Sequence, residues 1–117
     1  MQRRAVHVVA ALLVGAVLLA ACGVKTTHKG VSAAAVAGGN GWSPSTPIRV
    51  KEGRKVVIKV GNKTKETHGF SIDAFGVKQT VDPGKTIEVK FTPTAKGTYV
   101  VYCQLHPRHK KTELTVS

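Results

Sequence analysis

From residue 42 onward, hydrophobic and polar positions alternate in short runs separated by turn-forming residues. In Lys55-Val56-Val57-Ile58-Lys59-Val60, the side chains of Val56, Ile58 and Val60 share one face and Lys55 and Lys59 the other. That is the two-residue period of a half-buried strand. Thr86 to Phe91 repeats it with Ile87, Val89 and Phe91 inward, and Thr112 to Val116 repeats it with Leu114 and Val116 inward. Asp82-Pro83-Gly84 and Ala95-Lys96-Gly97 supply turns between strands. Tyr99 to Leu105 reads as a further strand whose alternation puts Tyr99, Val101, Cys103 and Leu105 on one face. Regular short strands with Gly and Pro punctuation and no helical period predict an all-β fold, an antiparallel sandwich.

The first 41 residues read differently. Arg3 and Arg4 precede an uncharged, largely apolar run of 14 residues, Val8 to Ala21. A spanning helix needs about 20 residues, so the run fits the core of a signal peptide over residues 1–21. It ends in Leu19-Ala20-Ala21-Cys22, which resembles the lipobox of bacterial lipoproteins and makes Cys22 the expected lipidation site. Residues 22–41 mix Gly, Ala, Ser, Thr and Lys without a sustained period and are expected to be a flexible tether. Val31 to Ala37 offers a weak first strand as the alternative. The domain proper is expected to occupy residues 42–117, as one small unit with a modest core.

Charge adds a constraint on partners. The chain has 117 residues, with 18 Lys and Arg against 6 Asp and Glu and a formal net charge of +12. Loss of the leader would leave 16 basic and 6 acidic residues, a net of +10. Such a surface favours an acidic partner or anionic lipid headgroups, while the export signal argues against nucleic acid. The two cysteines are not expected to pair, since Cys22 is assigned to lipid and Cys103 to a metal. No Ser-His-Asp set, paired carboxylates or phosphate-binding glycine loop stands out, so hydrolase and kinase readings have no residues to rest on.

The candidate chemistry lies in Tyr102-Cys103-Gln104-Leu105-His106-Pro107-Arg108-His109. One thiolate and two imidazoles fall within seven positions, and His68 stands 35 residues before Cys103. A thiolate with two imidazoles and a weaker axial ligand suits copper in electron-transfer sites, and tetrahedral zinc is a chemical alternative. Pro107 holds His106 out of the helical region and keeps the loop open. His28 lies far from this constellation in sequence and is read as a bystander, and Glu66 as a poor ligand.

His68-Gly69-Phe70-Ser71-Ile72-Asp73, Val81-Asp82-Pro83-Gly84, Phe91-Thr92-Pro93, Gly97-Thr98-Tyr99 and Cys103-x-x-His106-Pro107 together resemble the cupredoxins, over roughly Trp42 to Ser117. Gly69 to Val77 with Cys103 to Pro107 is most similar to the nitrosocyanin-like, red-copper branch. The resemblance implies a Greek-key β-sandwich holding one copper ion through His68, Cys103 and His106. His68 stands where most cupredoxins place their first histidine ligand and where the nitrosocyanin-like branch carries a glutamate. His109 falls near the axial position and is the expected fourth ligand, because the sole methionine is Met1. The expected role is non-enzymatic electron transfer with a redox partner of acidic surface, outside the cytoplasmic membrane or in the periplasm. Copper storage or delivery, and a red-copper site that binds a small ligand, are the alternatives.

Overall fold

A computed structural model of the protein describes residues 25–117, so the leader and Cys22 lie outside the described residues. Among the described residues nine strands run in chain order: β1 Thr26–Val36, β2 Gly39–Ser43, β3 Ile48–Val50, β4 Lys55–Asn62, β5 His68–Ile72, β6 Val77–Val81, β7 Thr86–Phe91, β8 Gly97–Val101 and β9 Thr112–Val116. A 3-10 turn, Asp73–Phe75, joins β5 to β6. One sheet has the order β2-β1-β4-β7, a second β3-β9-β8, and β5 and β6 form a hairpin. An isolated bridge between Ser71 and Tyr102 joins that hairpin to the chain leaving β8.

One apolar cluster draws on all of these layers. Val31, Ala33, Val56, Ile58, Val60 and Val89 come from the first sheet, and Ile48, Val50, Val101, Leu114 and Val116 from the second. Phe70, Ile72, Val77 and Val81 come from the hairpin, and Trp42 fills the end of the core near the metal-ligand candidates. Burying these side chains supplies the main driving force for the fold, at roughly 25 cal/mol per Å² of apolar surface. The turn at Asp82-Pro83-Gly84-Lys85 closes with the Lys85 amide donating to the Asp82 carbonyl at 3.0 Å. Gly84 sits at φ 74°, which this turn requires and only glycine adopts freely.

The all-β sandwich expected from the sequence is present, with β4, β7 and β9 where the alternation placed them. Three details differ. The sheets are mixed rather than purely antiparallel, because β1 runs parallel to β4 and β3 parallel to β9. Residues 26–43, most of the expected tether, are strands β1 and β2, so the domain starts near Thr26 rather than at Trp42. β1 lies inside its sheet, paired on both sides by β2 and β4. The alternation from Tyr99 also stops before Leu105, which is 46% exposed, because regular pairing of β8 ends at Val101 and the chain turns into the ligand loop.

The place of β1 in the core has a measurable consequence. Ala33 is fully buried, so Ala33→Asp would force a carboxylate into the apolar cluster and lower unfolding stability by about 3 kcal/mol or more in urea denaturation. Lys29→Ser, at an exposed position on the same strand, should stay within about 0.5 kcal/mol of wild type. Equal tolerance at both positions would return the segment to a tether.

Candidate metal centre

Two backbone hydrogen bonds set the site. The Ser71 amide donates to the Tyr102 carbonyl at 2.8 Å, and the Tyr102 amide to the Ser71 carbonyl at 3.1 Å. This exchange fixes β5 against the end of β8 and brings His68, the first residue of β5, alongside Cys103. The Gly69 amide then donates to the Cys103 sulfur at 3.1 Å. A sulfur that accepts a backbone N–H is held in place. A Cβ at position 69 would overlap the Gln104 side-chain amide and displace it. Gln104 is fixed in turn, accepting from the Ser71 hydroxyl at 2.7 Å and donating to the Gln79 carbonyl at 2.9 Å.

Around that sulfur stand two imidazoles. Nδ1 of His68 and Nδ1 of His106 each lie 3.7 Å from Cys103 Sγ, and the three donor atoms all fall within 4.8 Å of one another. Bonds of about 2.0 Å to nitrogen and about 2.3 Å to sulfur span each 3.7 Å sulfur–nitrogen gap when both atoms share one ion, and small turns of the imidazoles bring the two nitrogens within reach of it. Soft sulfur with two imidazole nitrogens suits copper. The donors therefore fit a metal ion without rearrangement of the backbone. His68 is 1% exposed and Cys103 4%, whereas the His106 side chain is 35% exposed.

The sequence placed His68, Cys103 and His106 in one site, and the structure brings them together. His109 stands beside them but outside the three-donor cluster. Its amide donates to the His106 carbonyl at 3.0 Å, which folds the loop back. The ring then sits against Trp42 and His68, with centroids 4.6 and 4.7 Å away. The Lys110 amide donates to the Asn40 carbonyl at 2.8 Å, so β2 anchors the loop's far end. His109 is only 3% exposed, yet neither ring nitrogen has a hydrogen-bond partner, and His68 Nε2 is likewise buried without one. His28 is exposed on β1.

Three contributors escaped sequence reasoning. The Gly69 amide and the Gln104 bridge act through backbone approach and a side-chain amide, neither of which has a spacing to read. Glu66 lies in the loop before β5 rather than on the strand, and its Oε2 is 3.1 Å from Nε2 of His106. It therefore meets the outer edge of a metal-ligand candidate instead of the site's interior. Next to Cys103, the Tyr102 hydroxyl donates to Asp73 Oδ1 at 2.6 Å, which raises the phenol's pKa.

Burial holds the pKa of His109 down at about 4, helped by the positive charge that His68 would carry, and burial lowers that of His68 as well. The unfolded chain takes up protons on these rings near pH 6.5. Between about pH 6.5 and about pH 4 the unfolded state thus binds more protons than the native one, so stability falls as pH falls. The metal-free protein should lose stability across this window at up to about 1.4 kcal/mol per pH unit from His109, with His68 adding in the same direction, read from urea midpoints. His109→Phe should flatten the slope, and an unchanged slope would show that the ring is not held neutral.

The sequence profile of the cupredoxin-like domain matches residues 9–116. No curated protein matches the chain in sequence. Solved structures of similar fold include a copper nitrite reductase from Nitrosomonas europaea, at a TM-score of 0.67 and 20% identity over 80% of this chain. This chain spans 42% of that protein's length. Auracyanin from Roseiflexus castenholzii is similar at a TM-score of 0.62 and 19% identity, covering 81% of this chain and 99% of its own. The metal-binding domain of the Streptococcus pneumoniae Cu(I)-exporting P-type ATPase CopA gives 0.65 and 16%, covering 80% of this chain and 96% of its own. At these identities the neighbours speak to the fold alone, while the profile spans nearly the whole sequence. On that match, with a Cys-His-His cluster assembled inside the shared fold, the chain belongs to the cupredoxin-like domains and carries a copper-binding site at His68, Cys103 and His106.

Proposed function

We propose that the protein is an exported, lipid-anchored, mononuclear copper protein that passes single electrons between partners and is not an enzyme. The observation that carries this reading is the preset cluster of His68, Cys103 and His106, with Cys103 already held by the Gly69 amide. Bound copper supplies the one-electron couple between Cu(I) and Cu(II). Donors held by β5, by the Gly69 amide and by a hydrogen-bonded loop move little when the charge at their centre changes, so reorganisation stays small. His68 and Cys103 exclude water by their burial, and His106 is the donor that reaches towards the surface. Arg108 is exposed and lines the same opening as His106, and with the overall positive charge it suits a redox partner of acidic surface.

Within the family, we read the protein as nearest the nitrosocyanin-like branch, a reading supported by the resemblance of Gly69 to Val77 and Cys103 to Pro107, with His68 in place of its glutamate. We assign His109 as the fourth donor. Its two buried nitrogens lack partners, and such groups are costly unless something satisfies them. A second reading, a site open to a small ligand, is favoured by one feature. An opening of about 340 Å³ is lined in part by Glu66, His68, His106, Arg108 and His109.

Copper loading tests these assignments together. The loaded protein should show a sulfur-to-copper charge-transfer band that Cys103→Ser abolishes, because the band needs the thiolate. His109→Met should shift the spectrum towards a blue site and raise the reduction potential, since a thioether is a weaker donor than imidazole. His109→Ala should admit azide. No change in either His109 variant would return that residue to a packing role, and copper readily lost as Cu(I) without electron exchange would favour storage over transfer.

The anchor is tested separately. Cys22→Ser should leave unprocessed precursor in cells fed labelled palmitate, because Leu19-Ala20-Ala21-Cys22 would no longer present a thiol for lipid. Two or more acyl chains anchor a domain stably where one does so only marginally. Unchanged processing and labelling would remove the lipoprotein assignment.

A further inference from the structure

We infer that Glu66 is a positioning residue for the copper site, holding His106 in the tautomer and orientation that present Nδ1 to the metal. This rests on the reading of His106 as a copper ligand. A neutral imidazole carries one N–H, and whichever nitrogen bears it cannot donate a lone pair. Nδ1 of His106 faces Cys103 Sγ at 3.7 Å, and Nε2 faces Glu66 Oε2 at 3.1 Å. A carboxylate accepts and cannot donate, so this contact places the proton on Nε2 and leaves Nδ1 free. The same contact raises the donor strength of the ring and restrains its rotation.

An exposed ion pair is ordinarily worth little, because ordering two side chains offsets the attraction. The difference here is that the loop carrying Glu66 is already ordered by a buried asparagine. Asn62 Nδ2 donates to the Glu66 carbonyl at 2.7 Å and to the Val81 carbonyl at 2.8 Å. Its Oδ1 accepts from the Thr64 amide at 2.9 Å and the Thr64 hydroxyl at 2.7 Å. All four hydrogen-bonding positions of the side chain are thus occupied. The Thr64 hydroxyl also lies 3.0 Å from the Glu66 carbonyl and accepts from the Glu66 amide at 3.3 Å. At the loop's other end, the Thr67 hydroxyl donates to Asp82 at 2.9 Å. Val81 pairs with His68 across the hairpin, so one asparagine ties the loop of Glu66 to the strand pair that carries the first histidine. The backbone of Glu66 is fixed before its carboxylate meets His106.

The test compares wild type with Glu66→Gln, Glu66→Ala and Glu52→Gln, the last removing the same charge from the turn after β3. In the metal-free protein, ¹⁵N spectra should show His106 as the Nε2–H tautomer in wild type and a mixture in Glu66→Ala. In the loaded protein, Glu66→Ala should release Cu(II) to a chelator about tenfold faster or more and raise the reduction potential. Glu66→Gln should fall between the two, and Glu52→Gln should match wild type. An unchanged tautomer, release rate and potential in Glu66→Ala would overturn the inference while leaving the copper site in place. Equal shifts in Glu66→Ala and Glu52→Gln would overturn it too, since net charge alone would then account for them. A wild-type protein that takes up no copper would overturn both this inference and the reading beneath it.

Discussion

The exchanged hydrogen bonds between Ser71 and Tyr102 are the constraint on which the site depends. They are two bonds in a chain with far more extensive strand pairing elsewhere, yet they join the backbone of the β5–β6 hairpin to that of the residue before Cys103. His68 is three residues from Ser71 on one strand, and Cys103 is next to Tyr102 on the other. Fixing one pair of residues therefore fixes both donors through short lengths of extended backbone, which has little freedom left. The Gly69 amide reaches the sulfur because it falls one step inside this clamp. Gln104 reinforces it by linking Ser71 on β5 to Gln79 on β6.

The other side of the site is held by a different logic. His106 and His109 lie on a loop, whose entropy must be removed without a strand ladder. The chain does this through the His109 amide on the His106 carbonyl and the Lys110 amide on the Asn40 carbonyl. Trp42 then fills the space behind His109. The arrangement leaves three buried imidazole nitrogens and the Trp42 indole N–H without partners. Sites commonly break the rule that buried polar groups are satisfied, and stability elsewhere compensates. Here the compensation is the apolar cluster spanning both sheets and the hairpin.

What the sequence disclosed follows from how each segment meets solvent. β4, β7 and β9 were legible because one face is buried and the other carries Lys, Glu or Thr, so the period of two is written in the residue types. β1 was legible only as the weak strand offered over Val31 to Ala37 as the alternative to a tether, because its first half is exposed and its buried positions are Val31 and Ala33 within a run of small residues. Alanine and serine neither mark a face nor favour a strand, and the pairing that orders this segment comes from β4, some thirty residues away. Cys103 and His106 were legible from spacing, and His68 from its place at the start of a strand. Glu66 was not, because its partner is the outward nitrogen of a ligand, and the loop geometry that delivers it depends on Asn62 rather than on any period. Leu105 was misplaced because alternation was carried past the last paired residue of β8.

The burial pattern also decides which way the site leans in charge. A thiolate with Cu(I) is neutral, whereas the same thiolate with Cu(II) carries one positive charge, and a dry environment penalises the charged state. His68 and Cys103, both almost wholly enclosed, therefore favour the reduced form. The exposed cations Arg108, Lys110 and Lys111 push in the same direction, but water and salt screen them within about 10 Å at 0.1 M ionic strength. Glu66 is the negative group in direct contact with a donor ring, and it opposes both effects at the shortest range. Because the core and the clamp are fixed while this rim contact is exposed, the balance between the two oxidation states can be changed at the surface without disturbing the fold. That separation lets a rigid, buried cluster and an adjustable outer edge coexist in so small a domain.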